Sequence, residues 1–271
     1  MSSVIVLTGA TSGIGRAAAL ALAGRADHLI LHGLEPVDAV QDQLEAVRAA
    51  GARVTYAAAD FGDRDDVGRL LETLRDATDH IDVLINNAAR PGPASRTLTA
   101  AGDEVTFQTN YLAPVMLTTG LLDLIGRDGP GRVVNLASAT HFSAELDLDD
   151  LTFARRGYSS SAVYAHSKLA LVTYSCWLAS HRPTPGLDVV SLHPGVIATP
   201  LLHAMFSVTG DPPEHAAANL LDVAFRHGDN GTYYDERETA PPNPQATDPA
   251  VQDRLHELTL RLLDPDRRAI A

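Results

Sequence analysis

At 271 residues, 45% hydrophobic and 20% charged, the chain has the size and composition of a globular protein with a sizeable core. Its 34 acidic against 21 basic residues give a formal charge of −13, which argues against nucleic acid or an anionic membrane as the main partner, because both are held by basic patches. The single cysteine, Cys176, excludes an internal disulfide and suits a reducing, cytoplasmic setting; no signal peptide precedes the first strand, and no apolar run approaches the roughly 20 residues of a membrane helix.

The chain opens with Val4-Ile5-Val6-Leu7, an apolar run suited to a buried parallel strand. Thr8-Gly9-Ala10-Thr11-Ser12-Gly13-Ile14-Gly15 follows, and an Ala/Leu-rich helical stretch over 16–23 comes next. Strand, glycine turn and helix form the context in which a dinucleotide loop works. Gly9 permits the tight turn, Gly13 the approach of backbone to a pyrophosphate, and Gly15 close helix–strand packing. The helix N-terminus then offers free N–H groups and the positive end of its dipole to the phosphates.

Further apolar runs predict strands at 28–32, 53–57, 83–86, 131–136, 188–193 and about 231–234, with the first strand at 3–8. Helical stretches lie between them, among them 37–50, 65–79 and 161–180. This alternation predicts an α/β fold of the Rossmann type: a doubly wound, seven-stranded, mostly parallel sheet with helices on both faces. One domain spans 1–271, with a C-terminal extension at 236–271. The Pro-rich stretch 240–249 reads as a linker. Val251, Leu255, Leu258 and Leu262 recur at helical spacing and predict a closing helix.

Tyr164-Ala165-His166-Ser167-Lys168 sets a phenol and an ammonium one helical turn apart on the same face. A phenol ionises near pH 10, too high for fast neutral chemistry, and a nearby cation lowers that value, so Tyr164 becomes a candidate acid/base. His141, His166, His181, His193, His203 and His215 lie without a metal-binding spacing and are expected in structural or surface roles; no metal site is predicted. Asp147-Leu148-Asp149-Asp150 reads as a solvated loop and Cys176 as helix packing.

Taken in order, these residues resemble the short-chain dehydrogenase/reductases over nearly the whole chain. Thr8 to Gly15 is similar to the family's TGxxxGIG loop, Asp60-Phe61 to its adenine-contacting Asp, and Asn86-Asn87-Ala88-Ala89 to NNAG with Ala89 in place of the last Gly. Asn110 falls on the family's helix Asn, Ser138 on its serine, Tyr164 and Lys168 on YxxxK, and Pro194-Gly195-Val196-Ile197-Ala198-Thr199 on PGxxxT. Within the family, Tyr164 to Ala170, Leu192 to Val196 and Gly231-Thr232-Tyr233-Tyr234 resemble the retinol-dehydrogenase-like, WW-domain-oxidoreductase-like branch.

The resemblance implies a catalytic set of Asn110, Ser138, Tyr164 and Lys168. Lys168 would hold the nicotinamide-side ribose and lower the Tyr164 pKa. Ser138 would stabilise charge on the substrate oxygen, and Asn110 would hold a water linking Lys168 to solvent. Cofactor contacts are expected from Gly9, Thr11, Ser12, Gly13, Ile14, Gly15, Asp60, Phe61, Asn87, Ala88, Tyr164, Lys168, Pro194, Gly195, Ile197 and Thr199. The cofactor is NADP or NAD. The position that carries an Asp in NAD users is Gly33, followed by Leu34 and Glu35; the usual NADP clamp is missing too, although Arg16 or His32 could serve a phosphate. Family likeness tilts the balance slightly to NADP.

The implied activity interconverts a carbonyl and an alcohol on a small molecule. The alternatives are a non-redox epimerase, dehydratase or cyclase on the same fold, or a nucleotide-sensing binding protein. The loop between Ser138 and Tyr164, carrying Phe142, Leu146, Leu148, Leu151, Phe153 and Tyr158, is expected to wall the substrate cleft together with 201–214. A homodimer or homotetramer is implied, with helices at 112–125 and 163–180 as the candidate interface.

Overall fold

Apolar runs with no polar face need cover on both sides, and the chain provides it by alternating them with helices. The computed structural model describes residues 3–181 and 184–264. In chain order the elements are β1 (Val4–Leu7), α1 (Gly13–Leu22), β2 (His28–Gly33), α2 (Gln41–Ala49), β3 (Arg53–Ala58), α3 (Arg64–Ala77), β4 (Val83–Asn86), the single turn α4 (Val105–Phe107), α5 (Ala113–Leu121), β5 (Gly131–Leu136), α6 (Ser160–Ser180), β6 (Leu187–His193), α7 (Pro200–Met205), α8 (Pro213–Ala224), β7 (Tyr233–Asp235), β8 (Glu238–Ala240), α9 (Pro244–Thr247) and α10 (Pro249–Leu263). The sheet order is β3-β2-β1-β4-β5-β6-β7-β8, parallel except for the last pair. Chain direction across the sheet reverses between β1 and β4, so their C-terminal ends flank the crevice where such folds bind ligands.

Strand side chains alternate between two cores. Val6, Ile30, Leu84, Val133 and Val189 face the layer of α3, α5, α6 and α10, through Leu70, Leu117, Leu171 and Leu255. Ile5, Leu7, Leu29, Leu31, Ile85 and Val190 face α1, α2 and α8, through Leu22, Leu44 and Leu220. A buried polar ladder crosses the first interface. Asn86 donates to Asn135 (2.8 Å) and Thr118 (3.0 Å), and Asn135 donates to Ser175 (2.9 Å).

The fold class is the expected one, with local differences. The sheet has eight strands instead of seven, because the last expected strand turns at Glu236-Arg237 and returns antiparallel as β8. Gly231, at φ +83, belongs to the turn before β7. The helix expected at 37–50 begins as a 3-10 turn (Val37–Ala39) and continues as α2 after Val40 leaves helical geometry. The stretch expected as a linker at 240–249 holds the buried Asn243 and the short α9.

The closing helix is α10, which lies on α6. Tyr111 hydrogen bonds to Thr259 (2.7 Å), and Trp177 stacks on His256 with centroids 3.6 Å apart. α6 is buried on nearly all sides, as a helix without a polar face must be. Much of the 163–180 face considered as a subunit interface is covered by the chain's own α10. Residues 265–271 of the expected extension lie outside the described residues.

At the far end of the sheet, Arg132 is 1% exposed and clamps Asp229 with two bonds of 2.6 and 2.9 Å. Removing the cation strands a desolvated carboxylate. Arg132→Ala is therefore expected to cost about 3–5 kcal/mol in denaturant unfolding, whereas Arg75→Ala, which breaks the solvent-exposed pair with Asp123, should leave stability nearly unchanged.

Candidate active site

The glycine loop leaves β1 and enters α1 under tight constraint. Gly9 and Gly13 have φ of +66 and +48, the region that glycine tolerates best. A Cβ on Gly15 would fall 1.9 Å from the Gly9 carbonyl oxygen and 2.6 Å from Asn87 Nδ2. The loop is clasped from β4. Asn87 Nδ2 donates to the Thr8 and Gly9 carbonyls (2.8 and 3.0 Å), and Thr8 Oγ1 accepts from the Asn87 and Ala88 N–H groups, both at 3.0 Å. Thr8 is a supporting residue that sequence reasoning missed; its place between strand and glycine turn was the available signal. Ser12 occupies the N-cap of α1 without capping it, and no acidic residue stands in the first turn. The backbone N–H groups and the dipole of α1 are thus uncompensated, as an anion site requires.

Thr199, the N-cap of α7, lies against the same loop: a Cβ on Gly13 would meet its Cγ2 at 3.0 Å. Pro194, Gly195 and Ile197 are buried beside it, with Gly195 at φ +104. Ile14 packs against the α1 side of the core. Asp60 is exposed at the end of β3, where its Oδ1 accepts from the Gly62 N–H at 2.7 Å. The Phe61 ring is 3% exposed and stacks on His32, centroids 4.2 Å apart, so it supports the loop from below.

His32 does not serve a phosphate. Its Nδ1 accepts from the Gly9 N–H (3.3 Å), its Nε2 faces the Ala59 carbonyl (3.0 Å), and burial pulls its pKa down to about 4. These partners fix one neutral tautomer. A side chain at Gly33 would crowd its neighbours, since a Cβ there would lie 2.4 Å from Thr11 Cγ2 and 2.7 Å from the Tyr56 hydroxyl and would require them to shift. Glu35, two residues on, has a buried Oε2 with no hydrogen-bond partner.

On the other side of the crevice, Ser138 follows β5 and caps the 3-10 turn Ala139–Ser143. Its Oγ accepts from Thr140 N (3.3 Å) and Thr140 Oγ1 (3.1 Å), which leaves its own O–H to donate. Ser138 stands beside Tyr164 on α6. Burial drives the phenol up to about 12, and the neighbouring Ser138 hydroxyl works against that rise. Lys168 Nζ lies 5.8 Å from the Tyr164 ring centroid and donates to the Leu136 carbonyl at 2.7 Å; burial lowers it to about 7. Burial favours the neutral form of both groups.

Asn110 is held by the chain's own groups. It sits in a π-helical turn, Gln108–Leu112, a form often found at functional sites. Its Oδ1 accepts from Arg90 N (2.8 Å), and its Nδ2 donates to Arg90 O (3.0 Å) and Ser167 Oγ (3.1 Å). Both amide donors are occupied, so Asn110 ties the 90 loop to α6, and its side chain has only a second Oδ1 lone pair for a water.

The excursion from Ser138 to Tyr164 is more ordered than a solvated loop. Asp150 is 4% exposed. Burial alone would raise its pKa, but N–H bonds from Arg156, Arg155 and Ala154 outweigh it and hold the carboxyl below the usual range. Leu146, Leu151 and Phe153 turn into the core, while Phe142 remains exposed. His166 is buried under Arg156 and between Phe107 and Phe153. A cavity of about 390 Å³ opens beside Thr140, lined also by Ser143, Phe153, Arg156, Ala165 and Phe206. A larger hollow of about 740 Å³ lies at Val4, His28 and Arg53, at the N-terminal ends of the strands and away from this chemistry. Among the described residues no cluster of three or more metal-ligating side chains occurs, and no helix is long and apolar enough to cross a membrane.

The sequence pattern of the family described as short chain dehydrogenase matches residues 3–208. Human retinol dehydrogenase 13 is 31% identical over 96% of this chain and 84% of its own length. A protein of Streptomyces sp. (strain C5), provisionally named a daunorubicin C-13 ketoreductase, is 33% identical over 93% of this chain and 90% of its own. The solved structure of an uncharacterized protein from Mycobacterium paratuberculosis superposes with a TM-score of 0.78 at 26% identity, covering 97% of this chain and 93% of that one.

Lys168 ties this site to stability. The unfolded lysine binds its proton up to about pH 10.5, the folded one only to about 7, so stability should rise with pH across that interval. Above pH 10 the raised Tyr164 reverses the trend, because the unfolded phenol ionises first. Lys168→Met should flatten the rise between pH 7 and 10 in urea unfolding; an unchanged slope would place the titration elsewhere.

Proposed function

Because the chain belongs to the short-chain dehydrogenase family, with retinol dehydrogenases among its relatives, we propose that it is an NAD(P)(H)-dependent oxidoreductase interconverting a carbonyl and an alcohol, with Tyr164 as acid/base. The observation that carries this reading is the placing of Ser138 beside Tyr164, across the crevice from an uncompensated helix N-terminus in a glycine cradle. The cradle fits a dinucleotide: Gly9, Gly13 and Gly15 leave no room for side chains, and the α1 N–H groups with Ser12 would take the pyrophosphate. Thr11, Asp60 and Phe61 would border the adenosine half, and Asn87, Ala88, Pro194, Gly195, Ile197 and Thr199 the nicotinamide half. A bound dinucleotide supplies the hydride; the protein supplies placement and proton transfer.

Tyr164 does its work as a neutral phenol. A group held near 12 keeps its proton at neutral pH and gives it up to an oxygen on which negative charge develops. This suits carbonyl reduction, whereas alcohol oxidation needs the phenolate and gains as pH rises. Ser138 donates its remaining hydrogen to the same oxygen, stabilising the charge that appears there. Lys168 uses one donor on Leu136, and the others serve the nicotinamide-side ribose. Asn110 holds the 90 loop and α6 in register.

The cavity beside Thr140, with Phe153 and Phe206 among polar neighbours, suits a partly apolar carbonyl compound. Relatives named for retinol and for a daunorubicin C-13 ketone support that class of reacting centre. Tyr164→Phe should lower turnover by at least about 10²-fold and leave dinucleotide affinity nearly unchanged. Normal turnover in that variant would remove Tyr164 from the chemistry.

Family likeness tilts the cofactor towards NADP, but Glu35 places an unpartnered carboxylate oxygen just beyond β2 and no arginine replaces the usual phosphate clamp. Glu35 weakens binding of a 2′-phosphate by charge repulsion. Glu35→Gln is expected to raise affinity for NADPH relative to NADH, read by energy transfer from the lone Trp177; an unchanged ratio would clear Glu35 of that role.

A further inference from the structure

The turn that carries Ser138 is held by residues outside the site described above. His141 is fully buried three residues on. Its Nδ1 lies 2.7 Å from the Ser138 carbonyl, and its Nε2 is 3.3 Å from the backbone N–H of Asn243. A carbonyl can only accept and an N–H can only donate, so Nδ1 carries the hydrogen and Nε2 the lone pair. Asn243 comes from the segment after the sheet, about a hundred residues away. Its Nδ2 reaches the carbonyls of His141 (3.0 Å), Ala144 (3.1 Å) and Phe142 (3.3 Å), and its Oδ1 accepts from Gln245 N (3.0 Å). Gln245 extends the seam through Leu146 N (2.9 Å). A 3-10 turn leaves its last carbonyls without partners, and Asn243 fills that need for the turn behind Ser138.

We propose that Asn243 and His141 are positioning residues for the reaction: the C-terminal segment locks the serine turn through a neutral, single-tautomer histidine. This rests on the reading of Ser138 as the group that meets the substrate oxygen. The β5 end alone cannot hold the hydroxyl, since Ser138 lies two residues past the last strand residue and is partly exposed. The His141 ring packs on Phe142 and Tyr233, at centroid distances of 4.1 and 4.7 Å. The titratable groups around it are Tyr233 and Asp235 of β7 and His193 of β6. Burial and His193 favour the neutral ring, while Asp235 and the Ser138 carbonyl oppose them; the balance lowers its pKa. Acid would place a second ring N–H against the Asn243 N–H and push the seam apart.

The first test is nitrogen-15 NMR of the histidine side chains in the full chain at pH 7. His141 should show the neutral Nδ1–H tautomer, and an Nε2–H tautomer or a charged ring would overturn the proposal. The second uses NADPH with 9,10-phenanthrenequinone as the carbonyl probe. Asn243→Ala and His141→Leu should lower kcat by roughly 10- to 10²-fold, the effect expected of a small displacement of a reacting group, with the NADPH Kd kept. His141→Asn, which retains a donor at the Nδ1 position, should recover activity to within about tenfold of the unsubstituted protein. It also guards against a His141→Leu chain that does not fold. Unchanged kcat in Asn243→Ala and His141→Leu, or failure of His141→Asn to recover activity while it still binds NADPH, would overturn the positioning role and leave the oxidoreductase reading intact. An unsubstituted protein that binds NADPH without reducing any of a panel of carbonyl probes would instead remove the oxidoreductase reading, and the positioning role with it.

Discussion

The functional edge of this protein depends on a contact that leaves no space for a side chain. Gly15 lies so close to the Gly9 carbonyl that even a methyl group would overlap it, and Asn87 closes the same gap from the neighbouring strand. Because α1 can approach β1 only at that distance, its N-terminus points into the crevice between β1 and β4, and uncompensated N–H groups stand where a polyanion is wanted. Thr8, His32 and Phe61 then follow as supports beneath the loop, each satisfied by backbone groups or by stacking. The supports beneath the loop are paired, while the N–H groups of α1 are left open to the crevice, which separates a scaffold from a site.

Opposite the cradle, burial is the controlling force. Tyr164 and Lys168 are both almost inaccessible, and the cost of holding charge away from water pushes one pKa up and the other down. Their neighbouring positions on α6 suggest mutual activation; Nζ is engaged by the Leu136 carbonyl and lies over the Tyr164 ring, 5.8 Å from its centroid. At neutral pH burial therefore keeps the phenol protonated. Asn110 contributes by tying segments together, since its amide donors are consumed by Arg90 and Ser167.

The C-terminal segment does more than close the fold. α10 covers α6 through Trp177, His256, Tyr111 and Thr259, and the stretch before it meets the turn behind Ser138 through Asn243. A chain that buries α6 with its own helix has no need of a second copy for that purpose. The same coverage links the C-terminal segment to the turn that carries the candidate catalytic serine.

Local pattern alone made the sheet, the glycine loop, the Tyr–Lys face and the closing helix legible, because strand and helix periods, glycine torsional freedom and i,i+4 spacing are properties of short stretches. The cluster of Gly9, Gly13, Gly15, Ser138, Tyr164 and Lys168 could be named from their order along the chain. Tertiary structure decided what depends on distance between remote segments: the return of β8, the burial of Asp150 and His166, the crowding at Gly33 by Thr11 and Tyr56, and the grip of Asn243 on the 141–144 carbonyls. No local pattern encodes these, since each is set by desolvation and hydrogen-bond pairing between groups that meet only after the chain has folded.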